Sequence, residues 1–138
     1  MADKVEFELV SPEKLLFSQP VEMVVVPGGE GYFGVLPGHS PMIATLKPGV
    51  IDVYAENAST ISQRIFVAGG FAEVTETRCT VLAQEATELS KLDRAKAEAD
   101  VATLTEQAAA AQSDSERKAL ETKLAVATAK VEALTAAA

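Results

Sequence analysis

Cys79-Thr80-Val81-Leu82-Ala83 and, a few residues on, Ser90-Lys91-Leu92-Asp93-Arg94-Ala95-Lys96-Ala97 follow two different periods. The first is a short apolar run with β-branched residues, the pattern of a strand. The second opens on residues that cap helices, and its apolar positions then recur three and four apart. Composition breaks at the same seam, near Ser90. All seven aromatic residues, all eight glycines and all six prolines precede it, whereas alanine rises from 8 in residues 1–90 to 16 in residues 91–138. Residues 1–90 carry 5 basic and 12 acidic side chains, net −7, against 7 and 8, net −1, in the remainder. Two physically different modules therefore share the chain, one over 1–88 and one over 89–138.

Upstream of the seam the sequence reads as strands. Val5, Phe7 and Leu9 alternate with polar neighbours, the period of a half-buried strand. Val21-Glu22-Met23-Val24-Val25-Val26 is closed by Pro27-Gly28-Gly29. Short runs follow at 32–36, 42–46, 50–54, 64–68, 71–75 and 79–83. Turn chemistry separates them: Pro37-Gly38, Lys47-Pro48-Gly49, Glu56-Asn57, Gly69-Gly70 and Glu76-Thr77. Short strands with this punctuation predict an all-β antiparallel sandwich or barrel.

Downstream, the pattern predicts an alanine-rich α-helical hairpin. Ser90 and Asp93 have the spacing of a capping box for the first helix, and Ser113 and Glu116 repeat it for the second. Ala97, Val101, Leu104, Ala108 and Ala111 form one apolar stripe; Leu120, Leu124, Ala127, Val131 and Leu134 form another. The polar break Gln112-Ser113-Asp114-Ser115 joins them, so the two pack antiparallel. Alanine needs little tertiary help to stay helical, and each buries only a methyl group, about 0.8 kcal/mol per carbon. A movable arm and a fixed stabilising appendage both fit such a hairpin.

Several function classes drop out. A net charge of −8 opposes a nucleic-acid binder, which needs a basic footprint. No apolar run approaches the ~18 residues of a membrane span, and MADKVEFELV reads as neither a signal nor a transit peptide. One cysteine, Cys79, allows neither an intrachain disulfide nor a thiolate metal cage; it reads as a buried small hydrophobe. A soluble, intracellular chain is expected. Gly29-Glu30-Gly31-Tyr32-Phe33-Gly34 matches the dinucleotide fingerprint GxGxxG, with Asp52 downstream. That motif must open a helix at a pyrophosphate, and Pro37-Gly38-His39-Ser40-Pro41 forbids one, so a tight hairpin is expected instead. His39 and Ser40 are adjacent and point apart on an extended chain, which rules out a dyad between them. No catalytic residue and no metal site emerges. From the residues alone, a free-standing β-sandwich ligand-binding module with a helical oligomerisation arm stays open beside a scaffold subunit.

Over nearly its whole length the sequence also resembles the ε subunit of bacterial F-type ATP synthases, whose mitochondrial counterpart is called δ. The resemblance is carried by Val10-Ser11-Pro12-Glu13, Phe17-Ser18, Gly29-Glu30-Gly31, Gly34-Val35-Leu36-Pro37-Gly38-His39-Ser40-Pro41 and Leu46-Lys47-Pro48-Gly49. It continues through Phe66-Val67-Ala68-Gly69-Gly70-Phe71-Ala72-Glu73-Val74 and Val81-Leu82-Ala83. It implies a β-sandwich followed by a helical hairpin. It further implies a non-catalytic central-stalk rotor subunit of a proton-translocating enzyme, coupling c-ring rotation through γ to the catalytic head. On that resemblance Gly28, Gly29, Glu30, Gly31 and Tyr32 face the c-ring loops, and His39, Ser40, Pro41 and Met42 face γ. The hairpin would meet the α and β subunits only conditionally. Some relatives bind ATP through Leu-Asp-x-x-Arg-Ala. This protein has Leu92-Asp93-Arg94-Ala95-Lys96-Ala97, so Asp93 and Lys96 would make at most a weak ATP site, because lysine lacks the planar guanidinium fork. No other cofactor is implied. The expected location is the cytoplasmic face of a bacterial inner membrane, held there only through the complex.

Overall fold

The computed structural model describes residues 4–137; residues 1–3 and 138, which fall inside the sequence ranges above, lie outside the described residues. The chain divides into two compact units, Met1–Glu88 and Leu89–Ala138.

Among the described residues the first unit holds ten strands: β1 (Val5–Val10), β2 (Leu15–Val21), β3 (Met23–Gly28), β4 (Gly31–Val35), β5 (Met42–Leu46), β6 (Gly49–Tyr54), β7 (Gln63–Val67), β8 (Gly70–Val74), β9 (Arg78–Ala83) and β10 (Ala86–Glu88). Hydrogen bonding links them in the order β10-β7-β6-β3-β5-β8-β9-β1-β2, with β4 on β3. Strands β3 and β5 share the single pair Gly28↔Leu46, and there the ladder folds over into two layers. Pairing is antiparallel throughout except between β1 and β9, which run parallel with Glu6↔Arg78 and Val10↔Leu82 in register.

Period-2 alternation aims one face of each layer inward. Val5, Phe7 and Leu9 of β1, Ile51 and Val53 of β6, and Cys79, Val81 and Ala83 of β9 meet Val24, Val26, Val35 and Val67 in one core. Phe7 and the half-buried Phe17 contact each other with ring centroids 5.5 Å apart. Among the described residues no polar or charged side chain is buried. Each Val, Leu, Ile or Phe buried this way contributes about 1.5–3 kcal/mol, so the side chains of the interior are held by apolar packing.

Three local expectations change. Two strands lie beyond the eight that alternation predicts. β2 is an edge strand containing Pro20, which an edge tolerates because its N–H side need not pair inward. β10 is three residues long, too short to carry a period. The run Val21–Val26 is divided: Val21 ends β2, Glu22 bends, and Met23 begins β3.

In the second unit, helix α1 spans Arg94–Ala109 and α2 spans Asp114–Ala137. Asp93, not Ser90, caps α1: its carboxylate accepts from the Lys96 N–H at 3.1 Å. Ser90 lies instead in a 3₁₀ turn, Leu89–Lys91. At α2 the expected cap holds, with Ser113 Oγ accepting from the Glu116 N–H at 3.1 Å. The helices pack on each other, and Arg94 at the start of α1 reaches Thr135 near the end of α2 at 3.3 Å, which makes the hairpin antiparallel. Ala97 and Ala127 are buried, and the remaining stripe residues of both helices are half-buried.

Candidate functional site

The turn between β3 and β4 has Gly29 and Glu30 exposed at its tip, with Gly28↔Gly31 as the closing pair. Gly31 to Val35 is strand, not helix, which removes the dinucleotide reading of Gly29–Gly34. Beside this tip lies the turn Lys47-Pro48 between β5 and β6. Main-chain bonds tie the two: Gly29 N–H donates to Thr45 O at 2.9 Å, and Lys47 N–H to Pro27 O at 3.0 Å. Tyr32 adds a side-chain link, its hydroxyl accepting from the Val50 N–H at 3.2 Å. Lys47 Nζ stands 5.5 Å from the centre of the Tyr32 ring, within range of a cation–π attraction.

His39, Ser40 and Pro41 lie in the loop between β4 and β5, at the far end of those strands from the glycine turn. Five residues of strand separate the two ends, roughly 17 Å at ~3.3 Å per residue. The loop is held by Gly38 N–H donating to Glu76 O at 2.8 Å and by His39 N–H donating to Leu36 O at 3.2 Å. His39 Nδ1 lies 2.7 Å from its neighbour's carbonyl, Ser40 O, and its ring stands 6.4 Å from that of Phe33. Met42 starts β5 opposite the buried Val74 and so shares the inward-facing row at the sheet's margin.

Between these two ends, the outer face of the β5-β8-β9-β1-β2 layer carries apolar residues that alternation along one strand does not reveal. Cross-strand partners share a face. The register Thr45↔Phe71, Phe71↔Leu82, Leu82↔Val10 and Val10↔Leu15 therefore aligns one row across five strands. Phe71 is 55% exposed, Leu82 44% and Leu15 57%. A second row, Ile43↔Glu73↔Thr80↔Glu8, lies beside it, with Ile43 exposed by 74%. There Arg78 Nε is 3.9 Å from Glu8 Oε1, and the Thr80 hydroxyl donates to the same oxygen at 3.1 Å. The face is thus an apolar strip with a polar border. Met42, which the sequence singles out, lies on the opposite, inward row, whereas Ile43, Phe71, Leu82 and Leu15 go unmarked in the sequence. Only the pairing register assembles them.

Asp93 and Lys96 are both engaged within α1. Asp93 caps the helix, and Lys96 Nζ pairs with Asp100 Oδ2 at 3.2 Å. Both side chains are exposed. Elsewhere, burial pushes the Cys79 thiol from its ordinary 9.0 to about 12, so it stays protonated at physiological pH and is a poor nucleophile. Among the described residues no cluster of His, Cys, Asp or Glu has the makings of a metal site, and no helix is long and apolar enough to cross a membrane.

Two family profiles cover nearly the whole sequence: the β-sandwich domain of the ATP synthase Delta/Epsilon chain over residues 4–89, and the C-terminal domain of the ATP synthase epsilon chain over residues 93–138. Among curated proteins, an ATP synthase epsilon chain of Rhodospirillum centenum is 64% identical over 135 residues, covering 96% of this chain and 92% of that one. One from Parvibaculum lavamentivorans is 48% identical over 124 residues, 90% and 92% of the two chains. Among solved structures, a chain of the Euglena gracilis mitochondrial ATP synthase OSCP/F1/c-ring assembly matches with a TM-score of 0.80. It is 24% identical, over 97% of this chain and 81% of that one, and supports the fold.

Proposed function

The chain belongs to the ATP synthase epsilon chain family, a non-catalytic subunit of that enzyme, and on that basis we propose that it serves as a coupling piece of the central stalk. In this reading the sandwich binds the γ subunit across its outer apolar strip and the His39–Met42 segment. The turn Gly28–Tyr32 meets the polar loops of the c-ring. Rotation driven by proton flow passes through the stiff β core to γ and thence to the catalytic head. The hairpin meets α and β only in some states of the enzyme, and the whole sits on the cytoplasmic face of the inner membrane through its partners. Asp93 and Lys96 give ATP no more than a weak hold: the carboxylate already caps α1 and the ammonium already has Asp100.

The observation that carries this reading is the strip itself. Phe71, Leu82 and Leu15 stand in one row on an outer sheet face with Ile43 beside them, all substantially exposed. Covering the exposed part of each such side chain is worth about 1 kcal/mol, and the polar border of Glu8, Glu73 and Arg78 resembles the rim of a protein interface. A free-standing ligand-binding module is not favoured, because the family profiles assign both units to one subunit type.

The test is affinity capture of the tagged full-length protein from detergent-solubilised membranes. The unaltered protein is expected to recover γ and the α/β head, and the Phe71→Glu, Leu82→Glu double variant to lose them while remaining folded. Equal recovery by both would place the γ contact elsewhere.

A further inference from the structure

The glycine turn and the Lys47-Pro48 turn are joined by a side chain that neither the turn motif nor the strand pattern requires. Strands β3 and β6 pair only from Met23↔Tyr54 to Val25↔Asp52. Past that point, toward the tip, the main-chain ladder between them stops. The Val50 N–H then donates to the Tyr32 hydroxyl at 3.2 Å. Tyr32 itself stands opposite Pro27 in the β3–β4 hairpin, so its phenol crosses from that hairpin to the start of β6 and supplies the missing rung. Gly49 leaves room for the crossing: a Cβ there would sit 2.6 Å from the Tyr32 hydroxyl oxygen and 2.8 Å from Pro27 Cβ. Lys47 stands over the ring, 5.5 Å from its centre. Two turns that main-chain bonds hold on the β5 side are thereby also held on the β6 side.

We infer that Tyr32 is a positioning residue: it pins the Gly28–Gly31 turn to β6 so that the tip meets its partner as one rigid edge. The inference rests on the reading of that turn as the c-ring contact, and it assigns Tyr32 a part that acts through the turn. A tip fixed before contact loses less conformational freedom on docking than a free hairpin does. The bond to Val50 is made by the phenol hydroxyl, so removing that oxygen separates the pin from the ring's packing.

The experiment pairs two measurements, on the full-length protein and on the assembled enzyme. Hydrogen exchange at the Val50 amide is expected to quicken roughly three- to tenfold in Tyr32→Phe, the loss of one ordinary hydrogen bond. In membranes, Glu30→Cys carrying a short photoreactive cross-linker is expected to capture the c subunit, with a yield that falls at least twofold when Tyr32→Phe is added. Gly49→Ala, which keeps the tyrosine but crowds its hydroxyl, is expected to give the same pair of changes. Unaltered Val50 exchange would show that no pin exists. Faster exchange with an undiminished cross-link would deny the pin any part in docking. Absence of any c-subunit cross-link, even with Tyr32 intact, would overturn the reading of the turn itself, a failure separate from the other two.

Discussion

Asp52 and Arg64 face each other across β6 and β7, carboxylate oxygen and guanidinium Nε 3.6 Å apart. Partial burial raises the Asp52 pKa above 3.8, and Arg64 draws it partway back. The folded state therefore holds that proton more tightly than the unfolded one, and this carboxyl favours folding most at acid pH. Its contribution declines as pH rises from 3.8 through the folded-state value. Asp52→Asn removes the titration, so its stability relative to the parent is expected to rise with pH across that interval. Paired denaturant melts at acid and neutral pH check the sign. Cys79 gives a second expectation: with its thiol pushed up to about 12, thiolate-directed alkylation near neutral pH should be far slower in the native protein than in the unfolded one. At this scale the sequence was a partial guide. Cys79 read correctly as a buried hydrophobe because its apolar neighbours said so. The Tyr32–Val50 bond was illegible, since it spans 18 positions and depends on two turns meeting in space.

Elements were legible wherever a period had room to repeat. The two helical stripes, at spacings of three and four, all become buried or half-buried in the hairpin. The error at the first cap has a physical source: Ser90 and Asp93 are both good N-caps, and a 3₁₀ turn at Leu89–Lys91 takes up the earlier position. Asp93→Ala should therefore cost about 1 kcal/mol of hairpin stability and Ser90→Ala much less, as read from helical circular dichroism on heating. Strand β2 escaped notice because its burial pattern, exposed at both leucines and buried only at Val21, is that of an edge rather than of an alternating strand. Gly70 matters for a different reason. Its φ of +142° and the backbone of Leu82 beside it leave no space for a Cβ. Gly70→Ala is expected to destabilise the sandwich by well over about 1 kcal/mol, with a lowered denaturation midpoint as the measure.

For the whole molecule, the hairpin and the sandwich hold together by different means. The sandwich buries large side chains such as Phe7, Leu9 and Ile51, whereas the side chains buried in the second unit, among those described, are Leu89, Ala97 and Ala127. Along α2, Arg117, Lys118, Lys123 and Lys130 are matched by Asp114, Glu116, Glu121 and Glu132, with Arg117 paired to Asp114 at the helix start. A helix so evenly balanced grips an acidic neighbour poorly, and deleting residues 91–138 is expected to leave ATP hydrolysis by the assembled enzyme nearly unchanged. A many-fold rise would mean that the arm is a strong brake. The architecture also fixes an order of events. Strand β1 lies in parallel register beside β9, with most of the sandwich's sequence between them. As the protein leaves the ribosome, β1 has only β2 as a hydrogen-bonded strand neighbour until residues 78–83 have been made. Closing so long a loop is slow, on the scale of milliseconds to seconds, whereas a helical hairpin forms in microseconds to milliseconds. The nascent polypeptide must therefore carry β1 without its second neighbour until β9 has emerged, and the rung between them closes only after every strand from β2 to β8 has been made.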